Sequence, residues 1–490
     1  MVNSAARKLE KELIEVVEVP KDDINWSTVS LSDVLNKGKR LEASVFDVES
    51  KHIRDVLKNG KYPLVQLDGK DGLIEESFYP GRFKRIYCEK QGGIAFYLPS
   101  QMTDIYPEPT KWISKLTNVS IDALKLKNNT LLLTRSGTIG NVTIVSKTLE
   151  NKVFSDDVIR TSFKNEEDLG YVYAFLKSEY GSNILKTNSY GSVITHIEPE
   201  HFKEMLIPDA PCSLKKKIHA LVIESYSNRD ESNILIDEAT KIMIDELELP
   251  SIEELKKEAF SYSKDINSFS IKLSGLDSRL EGSYHIPLID VIEKHMSKHA
   301  NLRSLEDKAL VKDIILPGRF TRIYVEKEHG VPFIGGKDLF QLKSETGKYL
   351  SKKAHKNRLE KELLIKENSI ILPSRGTLGS VMMAMPHQIG KYAISDNLIQ
   401  MECEKDYVGY IYIFLNSIYG EKLIYRQKYG GVVNAIEPIQ LKKVSVPFLK
   451  DVQKIELINN LAFKANELRY QAYKQEQEAI NIMNKEVLGL

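Results

Sequence analysis

Six segments of this sequence recur once, in the same order, about 239 residues further along the chain. RLEAS (40–44) returns as RLEGS (279–283), and PGRFKRIYCEK (80–90) as PGRFTRIYVEK (317–327). LLLTRSGTIGNV (131–142) returns as IILPSRGTLGSV (370–381), and FSDDVIR (154–160) as ISDNLIQ (394–400). GYVYAFLKSEYG (170–181) returns as GYIYIFLNSIYG (409–420), and YGSVITHIEP (190–199) as YGGVVNAIEP (429–438). The offset varies only from 237, Pro80 to Pro317, to 240, Phe154 to Ile394. Chance does not produce six collinear matches. A period this long exceeds the roughly 20–50 residues of a solenoid unit and means a duplicated domain. The stretches 91–130 and 328–369 are far less alike. One scaffold carrying two different inserts suggests two copies that recognise two different things.

A chain of 490 residues leads one to expect two or three domains. Hydrophobic content of 42% and charged content of 28% fit a soluble globular protein with more than one core. Seventeen prolines and 27 glycines indicate no long fibrous or disordered segment. With 69 basic against 68 acidic residues the net charge is only +1, so any nucleic-acid binding must rest on a local basic face. Cys88, Cys212 and Cys403 stand far apart without CxxC or Cys/His ligand spacing. That excludes a disulfide framework and a zinc site and fits a reducing cytosol. The amino terminus, MVNSAARKLEKELIEVV, lacks a signal-peptide core, and no run approaches the ~20 apolar residues that span a bilayer. The expectation is a soluble, cytoplasmic protein with no membrane partner.

Within a copy, LLLTRSGTIGNVTIVS has the short apolar runs about a glycine turn that read as a β-hairpin. Gly137 and Gly140, with Gly376 and Gly379 in the second copy, are expected to supply positive φ or close backbone approach. VFSDDVIRTSF reads as a further strand after a turn. Val172, Phe175, Leu176 and Tyr180 fall at helical spacing, with Gly181 as a C-cap interruption. IEPEHFKEMLIP opens with a proline at a helix first turn. Each copy is thus a mixed α/β domain of about 170 residues.

A long helix follows each copy. Over 213–249, Leu214, Ile218, Leu221, Val222, Leu235, Ala239, Ile242 and Met243 fall at three- and four-residue steps. Over 450–486, Ile455, Ile458, Ala462, Ala465, Ala472, Ala479 and Met483 keep a heptad register that Arg469 and Glu476 break. Either helix would span roughly 55 Å. Each lies on its own domain, or the two pair with each other and dock partner subunits. The spacing allows both.

In this order, twice, TRSGTIGNV and PSRGTLGSV, SDDVIR and SDNLIQ, and the two YG-x-V-x-x-IEP segments resemble the specificity subunits of type I restriction–modification systems. The resemblance covers nearly the whole chain. It implies two pseudo-repeated α+β target-recognition domains separated by two long antiparallel helices. The corresponding division is an N-terminal helical segment (1–39), a first target-recognition domain (40–210) and a central spacer helix with linker (211–275). A second target-recognition domain (276–448) and a C-terminal spacer helix (449–490) complete it. It further implies a non-catalytic subunit. Each domain would read one half of a bipartite double-stranded DNA site, while the helices fix the spacer and bind two DNA adenine methyltransferase subunits. An endonuclease/translocase subunit would join for restriction, and S-adenosylmethionine would sit in the methyltransferase, not in this chain. The segment of some 40 residues before the first copy, ending NKGKRLEAS, also resembles specificity proteins of type II systems that cut on both sides of their site.

DNA reading needs phosphate contacts for affinity and base-edge contacts for specificity. Arg82, Lys84 and Arg85 beside Phe83 and Tyr87, and Arg319 and Arg322 beside Phe320 and Tyr324, offer guanidinium forks and aromatic faces. They would serve equally as a strand with a solvated cationic face. If the domains read different sequences, base contacts belong in the divergent stretches. There, QLKSETGKYLSKKAHKNRLEKELLIK (341–366) holds Lys348, Lys352, Lys353 and Lys356. It reads as a local basic patch or as a solvated helix. YLPSQMTDIYPEPTKWISK (97–115) holds Gln101, Thr103, Lys111 and Trp112. Arg135 and Arg375 sit beside Ser136 and Ser374 in the hairpin turn, a structural turn or a phosphate cradle.

Signs of catalysis are weak. The P-loop pattern GxxxxGK[ST] is absent. Asp156 and Asp157 form a carboxylate pair that becomes Asp396 and Asn397 in the second copy, which points to a turn or cap. His295 and His299 lack a third metal ligand. Pro211-Cys212 lacks the companion motifs of a cytosine methyltransferase, and the chain contains no Pro-Pro, so the adenine-methyltransferase tetrapeptide is missing. No catalytic residue and no metal site are expected. The competing readings are a self-contained enzyme and a duplicated interaction scaffold without a DNA role.

Overall fold

The computed structural model describes residues 28–36, 39, 41, 43–137, 139–190, 195–260, 269–343, 347–376 and 378–490. Of the expected N-terminal helical segment only the short helix Leu31–Asn36 lies within them. Residues 191–194 of the first YG-x-V segment, and Thr138 and Thr377 of the hairpin turns, lie outside them.

Among the described residues the first half holds nine strands: β1 (Leu64–Gln66), β2 (Ile74–Phe78), β3 (Gly93–Tyr97), β4 (Lys111–Ser114), β5 (Leu131–Thr134), β6 (Val142–Ile144), β7 (Val153–Phe154), β8 (Val158–Phe163) and β9 (Leu206–Pro208). Its main helices are α1 (Glu166–Lys177) and α2 (Glu179–Thr187), followed by the long α3 (Cys212–Glu246). The second half holds β10 (Ala300–Ser304), β11 (Val311–Ile315), β12 (Tyr324–Val325), β13 (Gly330–Ile334), β14 (Tyr349–Ser351), β15 (Ser369–Pro373), β16 (Met382–Met383), β17 (Ala393–Ile394), β18 (Leu398–Cys403) and β19 (Ser445–Leu449). Here α4 (Lys405–Asn416) and α5 (Ile418–Arg426) precede the long α6 (Val452–Ile482).

The sequence repeat becomes a repeat of topology. A four-stranded antiparallel sheet runs β2-β8-β5-β6 in one half and β11-β18-β15-β16 in the other. A bulge falls at the same place in both, between Ile74 and Glu76 and between Val311 and Asp313. A second sheet, β4-β3-β7 or β12-β14-β13-β17, pairs its last two strands in parallel. The buried apolar runs of β5 and β15 explain why these strands are central, since both faces are covered. Their hairpin turns use Gly137 and Gly140 at φ +84° and +101°, and Gly376 and Gly379 at +82° and +101°, a region closed to most side chains.

The apolar run after β8 is two helices, not one helix with a break at Gly181. The chain turns at Ser178, whose Oγ accepts from the Gly181 N–H at 3.1 Å, and Ser417 does the same for Gly420 at 3.2 Å. A serine N-cap restarts the helix, and the glycine is inside its first turn.

The long helices lie on their own domains and also pair with each other. Each begins on its own domain, with the Gly170 N–H on α1 donating to His219 Nδ1 at 3.3 Å and the Gly409 N–H on α4 donating to Asn459 Oδ1 at 2.8 Å. Each then crosses over. Leu235, Ile236, Ala239 and Met243 of α3 join the core of the second half. Ala479 and Ile482 of α6, with Met483, Val487 and Leu488 beyond it, join the core of the first half. The two run antiparallel, as Lys217–Glu486 (3.2 Å), Asn228–Gln475 (2.8 Å) and Lys454–Glu246 (2.9 Å) show. A Cβ on Gly409 would lie 2.6 Å from the Asn459 carbonyl oxygen and 2.9 Å from Ala462 Cβ. Gly409→Ala is therefore expected to lower stability by about 1–3 kcal/mol through forced separation of α4 and α6. Gly282→Ala, in open space, should not. Urea unfolding midpoints decide, and equal midpoints for the two variants would contradict the close approach.

Candidate nucleic-acid interface

Three of the repeated segments, the PGRF strand, the SDD or SDN turn and the hairpin turn, meet in each half. In the first, the extended stretch 82–87 runs along β4, with Cys88 N–H bonded to Trp112 O at 3.0 Å and Ser114 N–H to Ile86 O at 2.8 Å. In the second, the equivalent stretch becomes β12 and pairs with β14. Phe83 meets Phe96 edge-on at 6.2 Å, and Phe320 meets Phe333 edge-on at 6.3 Å. These aromatic pairs anchor the strand, leaving alternate cations outward.

The cations of this strand divide into two kinds. Arg85 is half-buried and held by Asp156 at 2.6 Å and Asp157 at 3.1 Å. Burial would lower its pKa, but the hydrogen bonds it donates to the two aspartates outweigh it and hold the guanidinium above its ordinary value. Arg322 pairs with Asp396 in the same way. The repeated Asp156 and Asp396 are thus ion-pair partners that fix the strand to the turn before β8 or β18. Arg82, Lys84 and Arg319 are exposed and make no ion pair among the described residues, and Tyr87 and Tyr324 are exposed beside them. These are the cations free to meet a phosphate.

Arg135 and Arg375, read together as a pair from the sequence, do opposite things. They are one residue out of frame: Arg135 occupies the place of Ser374, and Arg375 that of Ser136. Successive side chains leaving a strand point to opposite faces. Arg135 accordingly points inward, only 4% exposed, and pairs with Glu198 at 2.6 Å beneath the ring of Tyr79 at 4.3 Å. Arg375 is exposed, carries no ion pair among the described residues, and bridges to Ala435 through its backbone. Arg135 is therefore a structural residue of the turn, and Arg375 the one presented outward.

The divergent stretches lie against this face. Lys111 sits at the start of β4 with its ammonium over the Tyr87 ring at 5.7 Å. Gln101 is buried and holds its own loop, accepting from the Leu98 N–H at 2.8 Å and donating to the Glu108 carbonyl. It is not presented to a ligand. Residues 341–366 are not one helix. They supply β14, a turn, the short helix Lys356–Arg358 and a π-turn over Leu359–Leu363. Lys348, Lys352, Lys353 and Lys356 are all exposed there, and Lys348 and Lys352 flank β14, whose Leu350 pairs with Tyr324 of β12. The two faces thus share a strand of cations and differ in what flanks it.

Several positioning residues escaped the sequence reading. Arg160 is buried and donates to the carbonyls of Ala123 (2.8 Å), Leu124 (3.1 Å) and Lys125 (3.3 Å), and burial, only partly opposed by the Asp156 charge, lowers its pKa to about 10. Gln400, its counterpart, bonds the Lys366 N–H and the Leu364 carbonyl. Both tie the end of a divergent stretch to the central sheet. Asp230 of α3 caps the loop after β6 through Ser146, Lys147 and Thr148, and Tyr473 of α6 stacks at 3.9 Å on His387 of the matching loop. No sequence signal marks these two, because an aspartate and a tyrosine share no motif and the repeat offset does not pair position 230 with position 473.

His295 and His299 lie on the helix Pro287–His299 and face Glu258 (2.8 Å) and Glu248 (3.7 Å). Cys212 opens α3, its thiol donating to Glu167 at 3.2 Å. Among the described residues no group of three or more His, Cys, Asp and Glu could hold a metal ion, and no helix is long and apolar enough to cross a membrane.

Comparison with known proteins bears on this face. Two similar solved structures are the type I restriction–modification S subunit from M. genitalium (16% identity, 88% of this chain and 96% of that one, TM-score 0.27) and the HsdS subunit from Thermoanaerobacter tengcongensis (11% identity, 86% and 99%, TM-score 0.25). TM-scores this low carry no argument about function. No curated protein matches the sequence. The family model that does match, over residues 23–233 of this chain, is that of the type I restriction modification DNA specificity domain, a similarity that supports a DNA-specificity role.

Proposed function

We propose that the chain is the non-catalytic DNA-specificity subunit of a restriction–modification complex, each repeat reading one half of a bipartite site. The observation that carries this reading is the pairing of sameness and difference on each face. Free cations at Arg82, Lys84, Arg319 and Arg375 stand on the repeated scaffold, where they suit phosphate contacts. The flanking stretches 91–130 and 328–369 differ, as base readers for two different half-sites must. The antiparallel α3 and α6 would hold the faces at one distance and dock methyltransferase subunits on their outer sides, where Ile234 and Leu457 are exposed. S-adenosylmethionine and the transfer itself belong to those subunits, and an endonuclease subunit would complete restriction.

The test exploits the duplication. A chain in which 328–369 replaces 91–130 carries the same reader twice. Co-expressed with its methyltransferase, it is expected to mark sites whose two halves carry one sequence, in place of two. Mapping of methyladenine that returns the parent's site unchanged would overturn the reading.

A further inference from the structure

Small residues recur every seventh position on both long helices: Ser225, Ser232 and Ala239 on α3, and Ala465, Ala472 and Ala479 on α6. All six are buried. Such a seam tolerates slippage, because moving α6 by seven residues sets small residue on small residue again. A heptad is about 10 Å along a helix, or about three base pairs of duplex.

We propose that the buried cluster Arg229–Glu476–Tyr173 fixes the register of α3 against α6, and with it a single separation between the two domains. Glu476 is 3% exposed and is the cluster's one group from the second half. Arg229 Nη2 lies 2.7 Å from its Oε2, and the Tyr173 hydroxyl donates to its Oε1 at 2.6 Å, so both donors come from the first half. The guanidinium is packed at 4.2 Å over the Tyr226 ring, and Asn228–Gln475 and Ser225–Ala472 bonds of 2.8 Å flank it. The residues seven before and seven after Glu476 are Arg469 and Met483. A slip one way would press Arg469 on Arg229, two buried cations, and a slip the other way would leave Arg229 facing a thioether. Only the observed register gives the guanidinium a carboxylate. A single polar group in an apolar helical seam selects register by this exclusion.

That a register sets a DNA spacer rests on the functional reading above, but the register itself does not, and the experiment separates them. In the full chain carrying Cys88→Ser and Cys212→Ser, spin labels at Glu150→Cys and Lys391→Cys, both exposed sites, report the distance between the halves without DNA. One distance is expected for this parent. Arg229→Met with Glu476→Met removes both charges at similar volume and is expected to add a second population shifted by about 10 Å. Arg469→Glu, which makes the slipped register as well paired as the native one, is expected to do so too and serves if the paired variant does not fold. A single, unmoved distance in the folded variant overturns the proposal. Two distances with one unchanged DNA spacer leave the register assigned and overturn the functional reading instead.

Discussion

Glu476→Gln is expected to lower the unfolding free energy by about 3–5 kcal/mol, the cost of leaving a buried ion without its partner. The amide keeps the shape of the side chain, so little of the loss comes from packing. What changes is that Arg229, largely shielded between α1, α3 and α6 with 14% of its side chain exposed, no longer faces a charge. The directions of the pKa shifts agree from both sides. Burial would raise the Glu476 carboxyl, yet the charges of Arg229 and Lys177 and the Tyr173 hydroxyl bring it below its ordinary value. Burial would lower Arg229, yet the Glu476 charge raises it. A depressed carboxylate stabilises the fold above its unfolded pKa, near 4.5, and that contribution is lost as pH falls through the folded value. The variant should therefore lose its deficit relative to the parent in acid. Arg469 supplies the contrast. It holds the equivalent place on α6, 240 residues on, but the counterpart of Glu476 is Ile236. Its guanidinium, 1% exposed, bonds Tyr412 OH (3.2 Å), Ser232 Oγ (3.4 Å) and Met382 S (3.6 Å), with no ion pair among the described residues. Arg469→Met should consequently cost far less than Glu476→Gln. Denaturant unfolding of the two variants compares them directly, and equal losses would contradict the asymmetry.

Why the repeat was legible and the cluster was not follows from the same residues. The hairpins, the strand after SDD or SDN and the two long helices show in sequence because each rests on local periodicity and turn chemistry. Arg469 and Glu476 looked like interruptions of a heptad, since periodicity treats every charge as solvated. They are among the most buried side chains of α6, and only the partner helix explains them. Arg135 and Arg375 misled for the opposite reason. Their motifs look alike, but a one-residue change of frame turns one side chain into the sheet's lining and the other to solvent. No local signal distinguishes the two. The flanking stretches 91–130 and 328–369 differ in sequence, but residues 341–366 mix strand, turn and π-turn in a way that their lysine content hides. The junction between the halves was invisible, because the residues that form it are loop residues with no periodicity at all.

At that junction Asp104 predicts the second large effect: the parent is expected to lose up to about 4 kcal/mol of stability between pH 4 and pH 8, and Asp104→Asn to abolish that loss. Asp104 bridges to Gln341, and the Ile105 N–H donates to the Phe340 carbonyl at 2.9 Å, joining the same loop position of the two copies. Asn233 of α3 holds the loop from below through the Ile105 carbonyl at 2.8 Å. One copy thus places a carboxyl where the other places a neutral amide. Burial raises the Asp104 pKa from 3.8 to about 7. A raised carboxyl binds its proton more tightly in the folded state, so stability is full below the unfolded value and falls as pH climbs from near 4 to near 7. Histidines buried neutral, such as His387 with its pKa lowered by burial to about 4, act oppositely over this range. They act equally in parent and variant, so the difference between the two chains isolates Asp104. Thermal unfolding of both at pH 5 and pH 8 is the measurement. The asparagine chain should be the more stable at pH 8 by a margin well over twice that at pH 5, because at pH 5 only part of the loss has set in. A difference that does not grow with pH would mean that the carboxyl meets water at the junction, and that the two halves touch there less closely than the Ile105–Phe340 bond requires.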